Sequence, residues 1–269
     1  MNAADGMRLY GRLIRARVRI QMQYRASFVL NVIAAALLTA TDFLVIAVLF
    51  AHLPQLAGWS LAEVAFLYGI TGIAFALADM AIGHLYDAQE LVRTGEFDVV
   101  LLRPAGTLFQ MVAADFQLRR LGKALQAFVV LVFALSSLDI AWDVGRVAMM
   151  FAVVVSATAI FAALYIVGAA LTFWLIGGGE FAASFTYGGQ HMSSYPMNVF
   201  GPWLRRLFGY LFALAFVGYL PALYILDKPD PLNLPEFLRY ASPLVAALAL
   251  LAARALWHVA VRHYRSTGS

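Results

Sequence analysis

Residues 86–123 read YDAQELVRTGEFDVVLLRPAGTLFQMVAADFQLRRLGK, the longest polar stretch between hydrophobic blocks in this chain. They carry ten of its 34 charged side chains (19 Lys and Arg plus 15 Asp and Glu). Asp87 to Arg93 predicts a short helix, and Gly95 supplies the left-handed position that commonly ends one. Phe97 follows, an apolar side chain between the acids Glu96 and Asp98. Leu101-Leu102-Arg103-Pro104 closes the segment, because proline disfavours helix in the residue before it. From Thr107 a second helical run leads through Asp115, Arg119 and Arg120 into the next hydrophobic block. The stretch is either a solvated connector or a docking surface for a soluble partner.

Outward from it, nearly everything is apolar. Of 269 residues 63% are hydrophobic and 13% charged, with a mean hydropathy of +0.80. Soluble domains carry about a quarter charged residues, so an ordinary soluble domain is excluded. Cysteine is absent, which removes disulfides, thiolate metal sites and cysteine nucleophiles. Six arginines in the first 25 residues, with no short apolar core and cleavage site behind them, argue against a secretory signal peptide. Six blocks are each long enough to cross a bilayer: about 28–50, 61–85, 124–138, 147–176, 203–226 and 243–261. Gly177-Gly178-Gly179 is expected to end the fourth. Residues 180–202 read as broken, interfacial or partly re-entrant.

Residues 7–25 are patterned differently. Arg8, Arg12, Arg15 and Arg19 fall on a helical stripe ~60° wide at ~100° per residue. Leu9, Leu13, Ala16 and Ile20 form the neighbouring stripe. This predicts an amphipathic helix on the cytosolic leaflet, cations towards anionic headgroups. Orientation follows from the cations. Fifteen Lys/Arg lie before span one, between spans two and three, before span five and after span six. Only Arg146, Lys228 and Arg239 lie in the other three loops. The expectation is an all-α integral membrane protein with six spans and both termini cytosolic. Its parts are a surface helix at 1–27, a membrane domain at 28–262 and a cytosolic tail at 263–269. The net charge of +4 belongs to this asymmetry and not to a nucleic-acid-binding face.

No hydrolytic, redox or metal-binding motif is present: no HExxH, GxSxG or CxxC, and no histidine pair at i, i+4. The phosphate-cradling GxxxxGK[ST] loop is absent too, so ATP hydrolysis is expected on another chain. Asp42 and Asp79 are the acids that a bilayer penalises, by about +2.5 to +3.5 kcal/mol at a helix centre. At ~1.5 Å per residue they sit ~20 Å and ~9 Å from the cytosolic ends of their helices. Asp42 follows Thr39 and Thr41, which offer hydrogen bonds, and is read as either a pathway or a structural residue. Asp79 is expected to meet His84 or a cytosolic arginine.

Four stretches together carry a resemblance. They are Gln23-Tyr24-Arg25-Ala26 after the arginine-rich helix and Gly58-Trp59-Ser60-Leu61…Glu63-Val64 at the entry to span two. The others are Arg93-Thr94-Gly95-Glu96-Phe97-Asp98…Leu101-Leu102-Arg103-Pro104 and Trp257…Tyr264-Arg265-Ser266-Thr267-Gly268-Ser269. The chain resembles ABC-2 type transporter permease subunits, in particular a six-span group, over essentially its whole length. The resemblance implies a multi-pass protein of the cell (inner, cytoplasmic) membrane without a cofactor of its own. ATP and Mg would be bound by a separate ATP-binding subunit, docked on the loop between spans two and three. It further implies a second permease, identical or homologous, and leaves the cargo open.

Three readings compete: a non-catalytic ABC exporter permease, an ion-coupled secondary transporter using Asp42, and an intramembrane enzyme, which the missing motifs disfavour. A secondary transporter would show an internal repeat with paired broken helices, and no half-to-half similarity is found. On the first reading Glu90, Arg93, Gly95, Glu96, Phe97, Asp98, Leu102, Arg103 and Pro104 couple to the ATPase, Phe97 inserting into a groove on it. The pathway is expected at the permease interface, lined by spans one, two and five, with Asp42, Asp79, Phe43, Phe212, Phe216 and Pro221. Membrane lipid surrounds it. A carboxylate among aromatic rings suits a hydrophobic or cationic cargo.

Overall fold

A computed structural model describes residues 3–175 and 178–264. Among these the chain is all helical. The segments are α1 (Ala3–Gln21), α2 (Arg25–His52), α3 (Leu61–Ile82), α4 (Ala88–Thr94), α5 (Phe97–Leu101), α6 (Thr107–Ala113), α7 (Leu121–Ser137), α8 (Val144–Leu171) and α9 (Gly178–Ser193). After these come α10 (Pro202–Leu204), which runs into a π-helical turn at Arg205–Leu211, then α11 (Tyr219–Ile225) and α12 (Ser242–His263).

Among the described residues four helical runs are long and apolar enough to cross a membrane: Arg8–His52, Leu61–Thr94, Val144–Leu171 and Ser242–His263. A bent pair, Pro202–Leu211 with Leu214–Ile225, makes a fifth if it is counted as one span. The third expected span, α7, has 17 residues, about 25 Å of helix, and stays short of that length. The chain is thus a multi-pass membrane protein with four to five apolar spans where six were expected.

α3 is the central post. It packs on α7, α8 and α9 and buries residues on every face, including Phe66, Ile70, Phe75 and Asp79. Glycines bring α7 close: a Cβ at Gly69 would sit 2.7 Å from Leu131 Cβ, and one at Gly72 2.7 Å from Ala127 Cβ. Gly122 of α7 meets α2 in the same way, its missing Cβ lying 2.0 Å from the Val32 carbonyl oxygen. Without a hydrophobic drive between helices in lipid, such small-residue contacts carry the packing. The start of α3 is fastened locally. Ala57 and Gly58 turn the chain with φ of 51° and 84°. Ser60 and Glu63 then form a reciprocal capping box, 2.7 and 3.3 Å. Lys228 closes it with a 2.7 Å ion pair to Glu63 and stands 5.1 Å over the Trp59 ring.

Three sequence expectations are corrected. α8 ends at Leu171 with a turn through Trp174, before the glycine triplet; Gly178 and Gly179 open α9, and Gly177 lies outside the described residues. Within 180–202, expected to be broken, interfacial or partly re-entrant, the helix α9 runs regularly to Ser193 and irregular chain follows to Gly201. A bend falls inside 203–226, whose two halves meet at 72°. Its pivot is Ala213, at φ 59°, a left-handed conformation that costs an alanine about 1–2 kcal/mol. Burial of Leu214, Ala215 and Phe216 just beyond it holds the pivot. Gly209, Gly218 and Pro221 are not the site of the bend. Of the C-terminal motif, 265–269 lie outside the described residues.

Candidate functional site

Asp79 ends α3 fully buried and is the node of an ion cluster. The Arg120 guanidinium pairs with it, Lys123 Nζ lies 3.2 Å from its Oδ2, and the Tyr165 hydroxyl donates to Oδ1 at 2.6 Å. A buried carboxylate is stable only when paired and hydrogen-bonded, and one group each from the turn before α7, from α7 and from α8 meets that need. Gly83 gives the carboxylate room, since a Cβ there would come within 2.2 Å of Oδ1. The cluster joins α3, α8 and the start of α7. His84 takes no part; its Nε2 faces the Met111 carbonyl at 2.7 Å. Lys123 also stands 5.8 and 5.7 Å from the ring centres of Phe75 and Tyr187.

Asp42 opens on a cavity of about 130 Å³ between α2, α3, α7 and α9, shared with Tyr68, Phe75, Lys123, Gln126 and Tyr187. The Tyr68 hydroxyl donates to the Thr39 carbonyl at 2.9 Å and to Gln126 Oε1 at 3.3 Å. Phe43 stacks obliquely on Tyr68, centroids 5.4 Å apart. Thr39 and Thr41 donate back to the carbonyls of their own helix and not to Asp42. Among the described residues no cation pairs with this carboxylate.

The other aromatic residues expected around Asp42 are elsewhere. Phe212 lines a separate apolar hollow with Phe185 and Leu164, and stacks near Phe185 and Phe208. Phe216 and Pro221 are buried in the core. Asp42 is itself exposed, and the rings that share its cavity belong to Tyr68, Phe75 and Tyr187. A tyrosine and a glutamine inside an apolar span were the signal for them; the fifth block contributes nothing here.

The candidates between Glu90 and Pro104 form a compact unit. α4 stops at Gly95, which takes the left-handed φ of 77°. Arg93 holds Glu90 at 2.6 Å. Phe97 corrects the sequence reading. It is fully buried, edge-on to Phe173, Trp257 and Tyr264 at centroid distances of 5.0, 6.4 and 5.1 Å. As the first residue of α5 it packs into the bundle and is not the exposed aromatic that was expected.

Trp257 adds a hydrogen bond to Thr107 Oγ1 at 3.0 Å. Gln110 spans the loop by donating to the carbonyls of Val100 and Ala105 at 3.0 and 2.6 Å. What faces outwards is the tip: Val99, Leu101, Leu102 (86% exposed), Arg103 and Pro104. Glu96 is exposed beside it, and Asp98 is partly covered. α1 lies against this unit through Tyr10 and Phe109 and through Gln21, whose amide donates to the Phe116 carbonyl at 2.5 Å.

Comparison with known proteins gives one match. A family model described as "ABC-2 family transporter protein" matches residues 36–268. No curated protein and no solved structure matches.

Proposed function

The chain belongs to the ABC-2 transporter family, and on that premise we propose that this permease is the membrane subunit of an ATP-driven exporter of the inner membrane. Its ATPase is a separate subunit that docks on the tip at residues 99–104. The observation that carries the docking reading is an exposed apolar tip on an internally anchored segment. Exposed Leu101 and Leu102 beside Arg103 make an apolar centre with a charged edge, the general layout of an interface. Both termini face the cytosol. α1 lies at the membrane surface, with Leu9, Leu13 and Ile20, all exposed, directed into lipid.

Coupling follows from the anchoring. A push on the tip reaches α8 and α12 through Phe97 and its three aromatic neighbours. It reaches α3 and α8 through Arg120, Asp79 and Tyr165. Two permeases and two ATPases form the working unit, with the pathway where the permeases meet. Cargo enters the cavity of Asp42, whose unpaired carboxylate among Tyr68, Phe75 and Tyr187 suits a hydrophobic or cationic organic molecule.

The test begins with co-purification of an ATP-binding subunit and measurement of its ATPase activity in the assembled complex. Stimulation by cationic and by neutral hydrophobic compounds is then compared in the parent and in Asp42→Asn. The cargo reading expects loss of the cationic response alone. Equal loss of both, or of neither, refutes it. Failure of Leu102→Ala to weaken assembly refutes the docking reading.

A further inference from the structure

A cleft of about 420 Å³ opens between α2 and the start of α7. Ala34, Ala35 and Leu38 of α2 wall one side, and Arg119, Arg120 and Lys123 the other. The carboxylate these cations meet is Asp79. Three positive charges less one leave a formal +2 on the cleft. Asp42 lies in the adjoining cavity, which shares Lys123 and Tyr187 with this one, and counting it still leaves +1. Arg119 is the surplus cation: among the described residues it has no carboxylate partner, only a long 3.5 Å contact to Gln117 Oε1.

We propose that this cleft binds a phosphate headgroup, with Arg119 and Lys123 on the phosphate and the small residues of α2 leaving room for what is attached to it. The five arginines of α1 carry more charge and lie exposed on an open helix face, whereas Arg119, exposed too, lines a cleft with Arg120 and Lys123. Here the charge faces an apolar wall across a cleft, and that combination suits a phosphate with an apolar group attached. Tyr187 and Asn31 complete the lining and add a hydroxyl and an amide at headgroup level. The cleft lies where the polar segment passes into α7, the level at which cations meet lipid phosphates. Along α2 the exposed Leu30, Leu37 and Leu38 continue an apolar track from its mouth. The phosphate belongs to a membrane phospholipid or to a soluble phosphate compound. The proposal rests on charge and shape in this cleft and is independent of the cargo reading.

The test is native mass spectrometry of the purified permease in detergent, titrated with phosphatidylglycerol or with phosphatidylcholine of the same acyl chains. The parent is expected to retain one phosphatidylglycerol in clear preference to phosphatidylcholine. Arg119→Gln, which leaves the Asp79 cluster whole, is expected to weaken that binding about fivefold, as for one cation lost beside an anionic surface. Ala34→Phe, which fills the cleft without changing charge, is expected to abolish it. Competition by inorganic phosphate separates the sources: no displacement assigns the site to lipid, and displacement assigns it to a soluble phosphate. Equal retention of the two lipids, or a preference that survives both substitutions, overturns the proposal.

Discussion

Phe97→Ala separates an internal anchor from a docking residue. The side chain is fully buried, and truncating a buried phenylalanine costs about 3–5 kcal/mol. Part of that is three edge-on ring contacts at 5.0, 5.1 and 6.4 Å, inside the range where aromatic pairs add about 0.5–1.5 kcal/mol each. The Trp257–Thr107 hydrogen bond remains, at a net contribution of about 1 kcal/mol, and does not compensate. A loss of 3 kcal/mol corresponds to roughly a hundredfold or more in the undocking equilibrium. Hydrogen exchange on the isolated permease in detergent reads that equilibrium through the amides of α5 and α6. Their exchange is expected to accelerate by about that factor in Phe97→Ala, while Leu102→Ala leaves it unchanged. In the assembled complex the order reverses for partner affinity, because only Leu102 faces outwards. Unchanged exchange in Phe97→Ala, together with lost ATPase binding, would refute this reasoning and return Phe97 to the partner interface.

Other substitutions probe the frame. Asp79→Asn leaves Arg120 and Lys123 without their carboxylate and is expected to destabilise the permease by about 3–5 kcal/mol, read as a lowered thermal midpoint in detergent. Adding Lys123→Gln to it should recover part of the loss. Gly122→Ala forces α2 off α7, because its Cβ would lie 2.0 Å from the Val32 carbonyl; a loss of about 1–3 kcal/mol is expected in the same assay. Ser60→Ala removes half of the capping box and is expected to cost about 1 kcal/mol, with ATPase coupling intact.

Much of the membrane architecture was legible because partition into lipid and helix termination are local properties. Apolar runs of sufficient length declared α2, α3, α8 and α12. Gly95 announced the end of α4 through its backbone freedom, and Ser60 with Glu63 are a cap in any context. Residues that depend on distant neighbours were beyond it. Asp79 was expected near His84 or a cytosolic arginine, but the choice of Arg120 and the help of Tyr165 came from packing α8 and α7 on α3. Phe97 looked exposed because its immediate neighbours are acids, yet Phe173, Trp257 and Tyr264 arrive from far along the chain to cover it. Asp42 was given the aromatic residues of the fifth block, and folding supplied those of α3 and α9. The left-handed Ala213 carried no signal at all, since alanine in a hydrophobic run reads as helix. What bends it is the gain from burying Leu214 to Phe216, which exists only once the other helices stand around it.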